Sequence, residues 1–288
     1  MATELTDEST LLLRKDEIIN SSVGLMSALV TGGASGIGQA VAEMLAARGH
    51  PVVVADISLG GANTTSMRIR EKGGTAIALE LDVCDEQSVL DGFCAATSAF
   101  TTTPQLVVSC AGILHFASAI ETPIADFDRV IGVNLRGTFL VSTTAARALI
   151  GAELPGSIVN VSSIHAVLSE PNASSYTASK GGVEAMSRTF ATEWAPESIR
   201  VNCVRPGATI TALTAEIYSQ EVLNALAQRI PLKRPATPME IAEGIVFLLS
   251  DSANYITGTT LDIDGGYLMN GALPDADYMD ATRKNGVL

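Results

Sequence analysis

A tyrosine and a lysine four residues apart, Tyr176 and Lys180, can do proton chemistry if a helix carries them. At that spacing both side chains share one helical face, so an ammonium can sit beside a phenol. A second cluster, Thr31-Gly32-Gly33-Ala34-Ser35-Gly36-Ile37-Gly38, lies far upstream. It follows the apolar run Ala28-Leu29-Val30 and opens the stretch Ala40-Val41-Ala42-Glu43-Met44-Leu45. A glycine-rich turn between a strand and a helix is where backbone amides can cradle a dinucleotide pyrophosphate. In this order, the two clusters imply an oxidoreductase that uses a nicotinamide dinucleotide.

Three glycines divide the work of the turn. Gly32 permits the tight exit from the strand, Gly36 lets the backbone approach the pyrophosphate, and Gly38 lets the helix pack on the sheet. Asp56 closes the second strand, where a carboxylate can accept both hydroxyls of an adenosine ribose. Each such charge-assisted bond contributes roughly 1.5–3 kcal/mol, and the same charge repels a 2′-phosphate. Ser35 and Ile57, where a phosphate clamp would sit, are uncharged. NAD is therefore expected over NADP.

The elements that must hold these residues alternate along the chain. Strand-like runs fall at 26–31, 51–56, 76–82, 105–109, 156–162, 199–204 and 260–263. Helix-like runs fall near 36–48, 61–72, 87–99, 123–150, 174–197 and 238–250. This predicts an α/β fold of the Rossmann type, a doubly wound, seven-stranded parallel sheet with helices on both faces. Runs such as Pro51-Val52-Val53-Val54-Ala55 suit strands buried on both sides. Residues 26–270 read as one catalytic domain, between an N-terminal arm at 1–25 and a C-terminal tail at 271–288. The stretch 207–235, which follows Pro206-Gly207, breaks the alternation. An insertion at a strand's C-terminal end is where open α/β sheets hold ligands, so it reads as a substrate lid.

Composition narrows the partners. A chain of 288 residues with 47% hydrophobic and 17% charged residues can bury a sizeable core. A formal net charge of −13 disfavours nucleic acid. Cys84, Cys94, Cys110 and Cys203 form no CxxC pair, so neither a disulfide framework nor a metal site is expected. Glu4, Asp7 and Glu8 precede Leu11–Leu13 where a secretory leader would be basic. No window approaches the roughly 18 apolar residues of a membrane span, and a cytoplasmic setting is expected.

From Met26 to about Leu268 the ordered motifs resemble the single-domain short-chain dehydrogenase/reductase family. The matching pieces are the run Thr31 to Gly38, Asp56, Asp82-Val83, Ala111-Gly112, Asn134 and Ser162-Ser163. They continue with Tyr176 and Lys180, Pro206-Gly207 and Asp264-Gly265-Gly266. The resemblance implies a catalytic tetrad of Asn134, Ser163, Tyr176 and Lys180. Tyr176 would exchange a proton with the substrate oxygen, which Ser163 would steady. Lys180 would bind the nicotinamide ribose and lower the phenol pKa, and Asn134 would hold a water that links Lys180 to solvent. A phenol titrates near 10, and a cation about 4 Å away gives roughly 4 kcal/mol at an effective dielectric of about 20, enough to bring it toward neutrality.

The same resemblance places Asp82 and Val83 beside the adenine, and Thr209 and Thr211 beside the nicotinamide and its phosphate. Ile37, Cys110, Ala111 and Gly112 complete the cofactor contacts. The sequence departs from the family at Ser109-Cys110, where two asparagines are usual. A serine hydroxyl keeps a donor and an acceptor, whereas a thiol bonds poorly, so some bracing near the adenosine should be lost. Leu114, His115 and His165 lie near the tetrad and are candidate substrate contacts. Their mostly apolar neighbours suggest a medium-sized, hydrophobic or cyclic secondary alcohol or ketone. Two other readings stay open: a 3-oxoacyl-thioester reductase of the same family, and a non-catalytic NAD-binding sensor. The family also implies a homotetramer, or a dimer.

Overall fold

The structure is a computed structural model that describes residues 25–215 and 217–270. The expected tail, and the arm apart from Leu25, lie outside the described residues. The strands are β1 (Ala28–Thr31), β2 (Val52–Asp56), β3 (Ala76–Glu80), β4 (Leu106–Ser109), β5 (Gly156–Val161), β6 (Ile199–Pro206) and β7 (Thr260–Ile263). The α-helices are α1 (Gly36–Ala47), α2 (Leu59–Glu71), α3 (Glu86–Phe100), α4 (Ile124–Ile131), α5 (Thr138–Gly151), α6 (Ser174–Trp194), α7 (Gln220–Arg229) and α8 (Pro238–Leu249). All seven strands pair in parallel in the order β3-β2-β1-β4-β5-β6-β7. The chain reverses its direction of travel between β1 and β4. In such sheets that point opens a crevice at the strands' C-terminal ends.

Apolar side chains on alternate residues cover both faces, as the pleat requires. Val30, Val54, Val108 and Val159 meet Val41 and Leu45 of α1 and Ile241 and Ile245 of α8. The residues just before them, Leu29, Val53, Val107 and Ile158, meet Val89 and Phe93 of α3, Val141 and Leu149 of α5, and Phe190 of α6. Each of these aliphatic side chains contributes roughly 1.5–3 kcal/mol when fully buried. The sheet's core strands are thereby fixed in register, and their C-terminal ends line up beneath one cleft.

The continuous helix expected over 123–150 is divided. α4 ends at Ile131, α5 begins at Thr138, and Gly132–Gly137 form a wider π-helical turn between them. Such turns disturb the regular ladder and often mark functional segments. Two contacts account for this one. Asn134, fully buried within the turn, exchanges hydrogen bonds with the backbone of Ile113. Gly137 lies so close to β3's continuation that an added Cβ would stand 2.8 Å from Val83 Cγ2.

The lid region contains one helix, α7, whose residues are all at least partly exposed. Ser219 caps its start by accepting from Val222 N–H at 3.3 Å. The chain re-enters the core at α8, where Thr237 and Glu240 form a reciprocal capping box and Pro238 occupies the first turn.

Candidate active site

The ends of β1, β2, β4, β5 and β6 open into one cleft of about 640 Å³. Gly32 and Gly36 line one end with φ of +67° and +55°, a region that glycine adopts without strain. A Cβ on Gly32 would stand 2.8 Å from the Ala111 nitrogen, and one on Gly38 would strike the Gly32 carbonyl oxygen. On Gly36 it would face only Thr211 Cγ2, at 3.3 Å, so that backbone borders open space. Ser35 precedes α1 without capping it by its side chain, whereas Ser58, Asp85, Ser219 and Thr237 do cap their helices. The free amides and the positive end of the α1 dipole therefore suit a pyrophosphate.

Asp56 ends β2 with both oxygens in use: Oδ2 accepts from Ala34 N–H at 3.0 Å and Oδ1 from Ser58 N–H at 2.9 Å. The carboxylate thus fixes the glycine loop to the sheet. A carboxylate offers about four acceptor positions, so capacity remains for ribose hydroxyls. Ile57, Asp82 and Val83 line the same end, and Asp82 Oδ1 accepts from Cys84 N–H at 2.8 Å. Thr209 and Thr211 close the opposite wall. Thr209 Oγ1 donates to the Gly207 carbonyl at 3.0 Å, and Thr211 N–H donates to Thr214 Oγ1 at 3.0 Å. This cradle, the bare helix start and the acid at the end of β2 fit a nicotinamide dinucleotide.

The Ser109-Cys110 departure differs from expectation in its detail. Cys110 is braced through its backbone, whose N–H donates to Thr31 Oγ1 at 3.2 Å. Burial pushes its thiol up to about 11, so it is not a reactive nucleophile. The hydroxyl of Ser109, which was expected to preserve polar bracing, is buried without a hydrogen-bond partner.

The tetrad converges at the other end. Ser163 accepts from His165 N–H at 3.2 Å, capping a short 3₁₀ turn, and lines the cleft together with Tyr176. Ser162 turns the opposite way, donating to Glu184 Oε1 at 2.8 Å, which leaves Ser163 as the serine of the site. Lys180 is buried, and its Nζ donates to the Val161 carbonyl at 2.8 Å. That Nζ lies 5.7 Å from the centroid of the Tyr176 ring. The ammonium is also clamped to β5, because a buried cation needs a carbonyl partner. Burial pushes the Tyr176 phenol above its usual range, and the Ser163 hydroxyl pulls it part of the way back. Burial brings Lys180 down to about 8.

Asn134 is fixed by bonds of its own side chain. Its Oδ1 accepts from Ile113 N–H at 2.9 Å, and its Nδ2 donates to the Ile113 carbonyl at 3.0 Å and Ser179 Oγ at 3.1 Å. With both amide protons engaged, the side chain serves first to hold the segment after Gly112. Between Asn134 and Lys180 a small gap remains. A Cβ on Gly112 would enter it, 3.4 Å from Asn134 Oδ1 and 3.6 Å from Lys180 Nζ.

At the substrate end, Leu114 and His165 line the cleft as expected. The His165 ring meets Tyr176 edge-on with centroids 6.4 Å apart, and its Nε2 lies 3.6 Å from Glu170 Oε2. Burial lowers the His165 pKa, against the pull of Glu170. His115 does not line the cleft. Its ring turns to α4, with Nε2 3.8 Å from Asp126 Oδ2, while Leu114 and Phe116 on either side face inward.

Residues 32–268 match the protein family described as enoyl-(acyl carrier protein) reductase. A relative from Sinomonas cyclohexanicum, cis-4-hydroxycyclohexanecarboxylate dehydrogenase, is 41% identical over 83% of this chain and 95% of its own. Human (3R)-3-hydroxyacyl-CoA dehydrogenase is 36% identical over 84% of this chain and 95% of its own. The chain belongs to the short-chain dehydrogenase/reductase family. A crystal structure from Agrobacterium tumefaciens, provisionally named 2-deoxy-D-gluconate 3-dehydrogenase and holding NADP, superposes with a TM-score of 0.80. It is 35% identical and covers 86% of this chain and 98% of its own.

Membership makes this short-chain dehydrogenase/reductase an oxidoreductase that acts on hydroxyl groups of small molecules and binds a nicotinamide cofactor. Among the described residues, no helix is long and apolar enough to cross a membrane. The motifs left several lining residues unnamed, Phe116, Glu170, Tyr218 and Tyr267 among them. Tyr218 lies within the lid and Tyr267 follows it in sequence, and two aromatics so placed in a chain with only five tyrosines were the available signal.

Proposed function

We propose that this enzyme interconverts a secondary alcohol and a ketone with NAD, on a medium-sized, largely hydrophobic or cyclic substrate. The observation that carries this reading is the meeting of the Ser163 hydroxyl, the Tyr176 phenol and the buried Lys180 at one end of a cleft whose other end holds Asp56. Tyr176 takes the proton from the alcohol oxygen, or returns it to the ketone oxygen. Ser163 hydrogen-bonds the same oxygen and favours the phenolate. Lys180 holds the ribose hydroxyls next to the nicotinamide and anchors α6 to β5. When bound, the nicotinamide accepts the hydride from the alcohol carbon or gives it back.

Asp56 supports NAD over NADP, because its carboxylate already lies at the ribose end and would repel a 2′-phosphate. The NADP in the Agrobacterium structure makes this a point to test. The apolar side chains Phe116, Leu213, Ile217 and Leu226 support a hydrophobic substrate. Exposed Phe139 and Ile150 on α5 and Phe247 on α8 support pairing of copies into a homotetramer or a dimer.

The human relative's name favours a second reading, a 3-oxoacyl-thioester reductase. The net charge of −13 weighs against docking an acidic carrier protein. A non-catalytic sensor is weakened by the intact tetrad. The test is reduced-cofactor formation, followed by near-ultraviolet absorbance, with NAD and NADP in parallel over cyclic, steroid, aromatic and hydroxyacyl alcohols. Turnover of a cyclic alcohol with NAD supports the reading. Turnover of hydroxyacyl thioesters alone would replace it, and NADH binding without any turnover would favour the sensor.

A further inference from the structure

We propose that Glu170 makes the substrate end of the cleft reject anionic substrates, so that this enzyme takes an uncharged alcohol or ketone. The inference rests on the oxidoreductase reading above and names its substrate class more closely. Glu170 lies in the segment between β5 and α6 and lines the cleft together with His165 and Tyr176. Among the described residues its side chain approaches one basic group, the His165 imidazole, with Nε2 at 3.6 Å. Its charge also bears on the Tyr218 phenol, which in turn bears on Tyr176, so all four groups surround one space.

Among the described residues, none at that end offsets the charge. Among the described lining residues the only lysine or arginine is Lys180, which is buried and committed to the Val161 carbonyl. Arg229 of α7 does not line the cleft and reaches only the Tyr267 hydroxyl, at 3.5 Å. His165 supplies no cation at neutral pH, since burial keeps its pKa below the usual imidazole value. Its Nδ1 is buried without a partner and offers a neutral hydrogen bond instead. The remaining acids of the cleft, Asp56 and Asp82, sit at the adenosine end. A ring bearing a carboxylate would thus meet Glu170 with no compensating charge. The Sinomonas relative is named for such a substrate, so the proposal separates this chain from it.

Fluorescence titration of the NADH-loaded protein with cyclohexanecarboxamide and cyclohexanecarboxylate compares two rings of one shape and different charge. Glu170 is partly exposed, with 40% of its side chain accessible, so solvent screens its repulsion. The expected preference for the amide is about tenfold. Glu170→Gln should bring the ratio within about threefold while NADH affinity stays the same. Equal binding of both rings by the native protein, binding of neither, or a ratio unmoved by Glu170→Gln overturns the proposal. A clear charge preference in a protein that oxidises no alcohol would uphold Glu170 and sink the oxidoreductase reading instead.

Discussion

Lys180 aims its ammonium at the carbonyl oxygen of Val161, 2.8 Å away on the last residue of β5. One side chain therefore ties the catalytic helix to the strand that delivers Ser162 and Ser163. Burial lowers its pKa from 10.5 to about 8, which means that the folded protein binds this proton less tightly than the unfolded chain. The cost to stability is full below about pH 8 and fades as the pH rises toward 10.5.

Lys180→Met should accordingly stabilise the fold at pH 7, by up to about 3 kcal/mol before the lost bond to Val161 is subtracted. It should also remove nearly all turnover. Thermal melts of both proteins at pH 7 and pH 10 check the sign. The gain should shrink at the higher pH, and a variant less stable at pH 7 would contradict the assignment.

Tyr176 yields a directional pH dependence. Burial holds the phenol above its ordinary pKa, so the phenolate needed to take a proton from an alcohol is scarce at neutrality. Alcohol oxidation should climb with pH between 7 and 9, by about tenfold per unit, while ketone reduction, which uses the protonated phenol, stays nearly flat up to pH 8. Tyr176→Phe should lower turnover in both directions by about 10²–10⁴-fold with NADH affinity retained. Equal slopes in the two directions would remove Tyr176 as the titrating group.

Asp56 has two tasks, so its replacement should show two effects. Asp56→Ala should weaken NAD by about 10²–10⁴-fold and NADP much less, since two charge-assisted bonds are lost for NAD alone. It should also release the Ala34 amide and lower the melting temperature slightly. Dissociation constants for both cofactors separate these effects. Equal weakening of NAD and NADP would reduce Asp56 to an anchor of the glycine loop.

Gly112→Ala tests the space between Asn134 and Lys180. The added methyl meets both at ordinary contact distances, 3.4 and 3.6 Å, so the fold should survive. Any water that passes protons to Lys180 through this gap would be displaced, and turnover should fall about tenfold with little change in KM. Unchanged turnover would place the proton path elsewhere.

Much of this was legible in residue order. Alternating apolar runs announced the seven strands, and Ser163, Tyr176 and Asp56 lie where their motifs put them. The misses share a physical cause. Periodicity reports which face of an element is apolar, not where its hydrogen-bond ladder widens, so the turn around Asn134 was invisible. In a loop, direction depends on local dihedral angles, and no pattern told Leu114 from His115. Lys180 was read beside Tyr176 on its own helix, and its bond to Val161 on β5 had no signal in the sequence. The idle hydroxyl of Ser109 likewise depends on what surrounds it, which composition cannot supply.

A π-helical turn holds one residue more than the α-helix on either side of it. Deleting one residue from Gly132–Gly137 would let α4 and α5 merge into a regular rod with both halves facing nearly as before, because the wider turn exists to absorb that extra residue. The buried Val130, Thr138 and Val141 would keep their places, but Asn134 would be drawn away from its bonds to Ile113. Two of its residues are tied by contacts, Asn134 to Ile113 and Gly137 to Val83, and the rest of the joint is freer. Lineages of this enzyme should keep that pair and the extra residue together, and vary in the spelling around them.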